Sequence, residues 1–204
     1  MELLQKLTLY DLFGYTLPGV IALLLYNGDL SYLADNLTLG GLVLLTVLGY
    51  VVGVVFTELA DCIVCLLNKV LGDNMINKYW KNICKVYGIS DAKVNDALKK
   101  ANLIENTMND SADVMVKRYM TYMYSEIQAD SQYSRLHNYA SAELLYKNMV
   151  VVSVLAMGIG VGQQSMTEII IGAVSVVLFV RRWIRFAERS RGYAICWFVQ
   201  KYDR

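Results

Sequence analysis

Thr38–Thr57 reads TLGGLVLLTVLGYVVGVVFT, twenty residues with no charged side chain, stopped by Glu58. A helix rises about 1.5 Å per residue, so this run covers the roughly 30 Å of bilayer hydrocarbon. Its reading decides the fold, because a chain with one such span must place its other apolar segments relative to the same bilayer. Asn148–Thr167 is a second run of twenty, with a polar exit at Gln163-Gln164-Ser165. Leu12–Tyr26 is a run of fifteen, lengthened by Tyr10 and Leu9 beyond Asp11. Ile169–Val180 is a run of twelve ended by Arg181-Arg182, and it reaches spanning length with Trp183, Ile184 and Phe186 at the interface. The whole chain has 204 residues, 56% hydrophobic and 18% charged, with mean hydropathy +0.37. Soluble domains carry more charge, so the balance favours a membrane protein. The net charge is only +1, so bulk charge says nothing about a polyanionic partner.

The competing reading of Leu12–Tyr26 is a signal peptide. Only Lys6 precedes it, Asp11 and Pro18-Gly19 interrupt it, and no small-x-small cleavage site follows, so a first span is expected.

Orientation comes from the basic residues. The connection Asn27–Leu37 holds Asp29 and Asp35 but no Lys or Arg, and Val161–Glu168 has none either. All 19 basic residues lie elsewhere: Lys6, eleven from Lys69 to Lys147, and seven from Arg181 to Arg204. The positive-inside rule then predicts an all-α protein with four transmembrane helices, both termini cytoplasmic, and a cytoplasmic helical domain between the second and third spans. The expected divisions are residues 1–72 (spans one and two), 73–147 (the cytoplasmic domain), 148–187 (spans three and four) and 188–204 (a C-terminal interfacial helix). The last expectation rests on Trp183, Phe186, Trp197 and Phe198 mixed with five Arg up to Arg191.

Within the cytoplasmic segment, Ser90-Asp91 after Gly88 predicts an N-cap for a helix over Ala92–Ile104. Asn109-Asp110-Ser111 predicts a cap for Ala112–Ala129. From Ser131 to Asn148 there is no Gly or Pro, so that helix is expected to continue into the third span. Pro18 is the chain's only proline; it is expected to bend the first span and to free a backbone carbonyl, and Asp11 to cap that helix.

Candidate sites carry two readings each. If the second span runs on from Leu39 to Leu71, Glu58 and Asp61 share a face at i, i+3 near its cytoplasmic end. In an oligomer they form a carboxylate ring that favours cations at an inner pore mouth; alternatively they mark the interface and pair with Lys or Arg. Gly49 and Gly53, and again Gly158 and Gly162, have the spacing that lets helix backbones approach closely, within or between subunits. Lys117, Arg118, Tyr122, Arg135 and Tyr139 combine cations with aromatic rings, with Arg118/Tyr122 and Arg135/Tyr139 each on one helical face. Such a mixture suits phosphates and stacked bases of a single-stranded nucleic acid or nucleotide; the other reading is helix-to-helix packing with solvated charges. Cys62 and Cys65 form a CxxC, with Cys84 and Cys196 apart from it and His137 the only histidine, so reduced packing cysteines are expected and no metal site or cofactor. No phosphate-cradling loop, HExxH or serine elbow is present, so no enzyme is expected.

The stretch Tyr10-Asp11-Leu12-Phe13-Gly14-Tyr15-Thr16-Leu17-Pro18-Gly19, together with Arg135-Leu136-His137-Asn138-Tyr139 leading to Lys147-Asn148 before the third span, resembles the membrane effectors of the Hailong antiphage defence system. The resemblance implies a homo-oligomeric ion channel of the bacterial inner membrane, a tetramer. It further implies a partner nucleotidyltransferase that supplies short single-stranded DNA holding the channel closed, with release of the block depolarising the membrane in abortive infection. The alternative expectation is a membrane anchor whose cytoplasmic domain recruits a protein partner.

Overall fold

The computed structural model describes residues 11–27, 38–71, 81–103, 112–127 and 133–203. They are helical, with no strand among them. A π-helical turn, Leu12–Thr16, leads directly into α1 (Leu17–Asn27). The following helices are α2 (Leu39–Leu71), α3 (Asp91–Lys100), α4 (Ala112–Ile127), α5 (Tyr133–Gly162) and α6 (Met166–Tyr202), with a helical segment at residues 81–86 before α3. Two helical stretches are long and apolar enough to cross a membrane, Leu39–Cys65 of α2 and Arg135–Gly162 of α5; Leu12–Tyr26 is a shorter apolar helix.

The chain forms two compact units, Met1–Leu67 with Ala140–Arg185, and Asn68–Tyr139 with Phe186–Arg204. Residues 188–204 therefore do not stand apart as an interfacial helix. The apolar side chains of that stretch are consumed elsewhere: Ala194, Ile195, Cys196, Phe198 and Val199 are buried in the core of the second unit.

In the first unit the interior is built by Phe56 and Ala60 of α2 against Val151 and Val152 of α5, with Ile21 and Ala22 of α1 beside them. The outward side is apolar too. Leu44, Val47 and Val55 on α2, and Ile170, Val174 and Val177 on α6, are all more than half exposed. Three hydroxyls in this unit fold back onto their own helix. The hydroxyls of Thr46, Thr57 and Ser153 donate to the carbonyls of Leu42, Gly53 and Met149 at 2.8, 3.1 and 2.8 Å. Such back-bonding satisfies a hydroxyl where no water is at hand.

The second unit has a buried apolar core with charges at its helix ends. On α3, Val94, Ala97 and Leu98 are buried at helical spacing, while Asp91 sits in the first turn and Lys99 and Lys100 in the last, each complementing the helix dipole. Met115, Val116, Met123 and Ile127 of α4 and Leu136 of α5 complete its core.

Helix ends follow a common device. Thr38 Oγ1 accepts from the Gly41 amide at 3.1 Å at the start of α2, and Ser90 Oγ from Lys93 at 3.4 Å at the start of α3. At C-termini the chain turns through a left-handed residue, with crossed bonds to the last turn. Gly88 (φ +65°) does this after residues 81–86, Asn102 (φ +56°) after α3 and Gln164 (φ +55°) after α5. Asn102 ends α3 short of the expected Ile104, because the amide of Leu103 turns back to the Leu98 carbonyl at 3.0 Å. The cap expected at Asn109–Ser111 lies outside the described residues. Gln164 has a Cβ in a region that favours glycine, so Gln164→Gly is expected to raise stability by roughly 0.5–1 kcal/mol, read as a higher Tm of the purified protein.

Candidate functional site

Where α1 approaches α2, glycines set the distance. A Cβ at Gly19 would run into the carbonyl of Gly49, and one at Gly53 into the carbonyl of Tyr15. The close approach at Gly49 and Gly53 is thus made within the chain, with Gly19 as the partner. Gly158 and Gly162 differ, since a Cβ at either meets nothing within 4 Å. The tight contact between α5 and α6 lies instead at Gly160, against Glu168 and Ile169, and at Gly172, against Met157 and Ser153.

Pro18 has no amide proton to give the carbonyl one turn back, at Gly14. Asn148 Nδ2, fully buried on α5, supplies that hydrogen bond at 2.8 Å and also donates to Thr57 Oγ1 of α2 at 2.9 Å. One side chain thereby joins the π turn, α2 and α5. Asp11 does not act as the expected cap: its backbone is already helical (φ −67°, ψ −41°) and its side chain makes no capping bond.

The acidic pair separates by environment. Asp61 Oδ1 accepts from Lys147 Nζ at 2.8 Å, with Lys147 only 15% exposed. Glu58 is exposed, with no hydrogen bond or ion pair among the described residues. Cys62 and Cys65 are exposed on the same helix. Among the described residues no three His, Cys, Asp or Glu side chains gather as a metal site.

The tyrosine–arginine residues of the second unit divide as well. Arg118 is exposed on α4, and the side chain of Lys117 lies outside the described residues. Tyr122 packs edge-on against Phe198, with ring centroids 6.4 Å apart, and its hydroxyl donates to Glu126 Oε1 at 3.1 Å. Glu126 also takes the ammonium of Lys201 and the hydroxyl of Tyr202. Tyr122 is therefore part of the helix packing.

Tyr139 belongs to a different arrangement. Its ring stacks on Tyr193 at 5.4 Å and 13°, and Tyr193 stacks in turn on Trp197 at 5.5 Å and 25°. The Arg189 guanidinium lies 6.0 Å from the Tyr139 and Phe186 rings, within cation–π range. Burial pushes the Tyr193 hydroxyl pKa up, helped by a hydrogen bond with Tyr87, while Arg189 and Arg135 pull it down. Arg135 thus acts on the same half-exposed aromatic ladder. Sequence reading gave Arg189 and Trp197 to a membrane interface and passed over Tyr193, although their i, i+4, i+8 spacing on one helix face was the available signal for this ladder.

Cys84 and Cys196 are buried with sulfurs 3.4 Å apart. The hydrogen bond with Cys196, then burial, hold the Cys84 thiol far above the ordinary range, so it stays protonated and unreactive at neutral pH.

The Glu126 cluster has a pH signature. The Lys201 hydrogen bond, then that of Tyr122, lower the Glu126 pKa below 4.5. A depressed carboxylate pKa adds stability above its unfolded value and loses it as pH falls through the folded one. The Glu126 hydrogen bond pushes Tyr122 up from 10.0 to about 12, so that contribution is present below pH 10 and disappears as pH rises toward 12. The pH–Tm profile is expected to fall at both ends, and Glu126→Gln to flatten both limbs; a profile unchanged by that substitution counts against the cluster.

No protein-family model matches the chain, and no curated protein or solved structure matches it.

Proposed function

We propose that the chain is a multi-pass inner-membrane effector of Hailong-type antiphage defence: a homo-oligomeric, cation-conducting channel gated by a ligand on its second unit. In this reading Leu12–Tyr26 and the first part of α6 join α2 and α5 as four spans, with both termini and the second unit cytoplasmic. The observation that carries it is Glu58. About nineteen residues into α2, near the inner edge of roughly 30 Å of hydrocarbon, it is exposed with no partner among the described residues, just past a run whose outward side chains, Leu44, Val47 and Val55 among them, are apolar. Ionisable groups at such a depth face protein or water. A ring of copies with Glu58 turned to a central aqueous mouth satisfies that requirement while Leu44, Val47 and Val55 meet lipid or a neighbouring copy. Asp61, held by Lys147, props the mouth rather than lining it.

The ligand is short single-stranded DNA or a nucleotide made by a partner nucleotidyltransferase, and it holds the channel closed. The half-exposed ladder of Tyr139, Tyr193 and Trp197, edged by Arg135 and Arg189, suits base stacking and phosphate pairing better than Tyr122. Both α5 and α6 carry residues of each unit, which gives ligand binding a direct helical route to the spans.

Expression without the partner is expected to depolarise cells, and purified protein in liposomes to pass cations. Glu58→Gln is expected to reduce cation-over-anion preference severalfold, whereas an inserted protein with no conductance supports the alternative membrane anchor that recruits a protein.

A further inference from the structure

A crevice in the first unit is accounted for neither by a pore mouth nor by a cytoplasmic ligand. Its inner part, about 270 Å³, is lined by Ala22, Val52, Phe56 and Leu155 and is almost wholly apolar. Leu25 and Ile159 line this part and also an adjoining space of about 410 Å³, where Gln163 and Glu168 are found. Leu25 and Ile159 line both spaces, so the two adjoin as a groove walled by α1 and α5, with α2 beside one part and the start of α6 beside the other. Its apolar end lies in the body of the helices, and its polar end lies where α5 turns into α6. From Leu155 to Gln163 the groove follows α5 for roughly 12 Å, close to the depth of one leaflet.

The charge at the polar end is specific. Glu168 is exposed there, and Val161–Glu168 contains no Lys or Arg. An anionic headgroup would meet a carboxylate with no compensating cation, while a primary ammonium would meet a carboxylate acceptor and the Gln163 amide oxygen. We infer that this groove binds a phospholipid with a primary-amine headgroup, a phosphatidylethanolamine, with one acyl chain along Leu25, Ile159 and Phe56 and its ammonium at Glu168. The inference rests on the membrane-spanning reading above, because only a bilayer presents that amphiphile to the groove. It is independent of conduction.

The test uses the full chain, extracted from carbonate-washed membranes and exchanged into micelles with equal phosphatidylethanolamine and phosphatidylglycerol, with retained lipid counted by native mass spectrometry. Wild type is expected to keep phosphatidylethanolamine over phosphatidylglycerol by about threefold to fivefold, the range of an exposed charge pair. Glu168→Gln is expected to bring that ratio to about one without changing total lipid, and Ala22→Trp, which fills the apolar end, to lower retention of both lipids. Because the tryptophan variant can misfold, the Glu168 ratio decides. A ratio unchanged by Glu168→Gln, or a wild type without preference, overturns the amine site while leaving the spanning reading intact. A chain washed off by carbonate overturns both.

Discussion

Gly53→Val is expected to undo the first unit. Its Cβ would occupy the position of the Tyr15 carbonyl, a backbone group that has no alternative rotamer. Where flexible side chains yield, overpacking costs about 1–3 kcal/mol, so against backbone about 3 kcal/mol or more is expected, a large part of a typical domain's stability. Gly19→Val meets the Gly49 carbonyl from the other side and is expected to be as severe. The measurement is thermal unfolding of the detergent-solubilised protein with size-exclusion monitoring. Gly158→Val and Gly162→Val are the controls. Each enters open space and is expected to leave monomer stability within about 0.5 kcal/mol. A Gly158 variant that melts normally but elutes as a smaller species would place that residue in a contact between copies. A Gly53 variant that melts with the wild type would mean that α1 docks on α2 in some other way.

Much of the helical layout was legible because it depends on local pattern. The uncharged run from Thr38 allowed a helix running on from Leu39 to Leu71, with no Gly or Pro between Glu58 and Leu71 to stop it, and α2 has those bounds. The absence of breakers between Ser131 and Asn148 likewise predicted a helix entering the third apolar run, and α5 is continuous. Ser90 was readable as a cap because capping needs only a short side chain one turn from an amide. The end of α3 had a local signal that the expected bound of Ile104 passed over: Asn102, between Ala101 and Leu103, is the residue type that tolerates the left-handed turn after a helix.

Long-range pairing was hidden for a different reason. Lys147 and Asp61 are 86 residues apart, so spacing alone could not separate a pore carboxylate from an ion-paired one. Both were equally acidic on one face; only the partner helix distinguishes Asp61 from Glu58. The C-terminal aromatic residues misled in a similar way. Trp, Phe and Arg at helical spacing describe an interfacial helix and a buried helix equally well, and Phe198 is buried because α3 and α4 are there to cover it. Tyr122 and Tyr139 also look alike in sequence. Glu126 and Phe198 draw the first into packing, while Tyr193 and Arg189 place the second on a ladder.

Asn148→Leu is expected to be the most damaging single polar loss, at about 2–4 kcal/mol. The leucine fills similar space but strands the Gly14 carbonyl in an apolar interior, where a missing hydrogen bond carries its full desolvation penalty. Thr57 keeps its bond to Gly53 and suffers less. Pro18 offers a second handle, since it has no amide to give the carbonyl one turn back. Restoring the amide with Pro18→Ala lets the helix satisfy Gly14 itself, so the double variant Pro18→Ala/Asn148→Leu is expected to recover about 1–3 kcal/mol relative to additivity. Asn148→Asp adds a test of sign. An ionised carboxylate only accepts, so it faces the Gly14 carbonyl with the wrong polarity, whereas the protonated acid donates to it. The variant is therefore expected to be clearly less stable than wild type at neutral pH and less impaired in acid, where the protonated form can donate. Equal melting of the Asp variant at acid and neutral pH, or additive effects of the Pro18 and Asn148 substitutions, would show that Asn148 packs at this junction without holding the carbonyl. If the coupling is found, the bend at Pro18 and the buried amide form one structural unit, and neither residue can be changed alone without opening the joint between the π turn, α2 and α5.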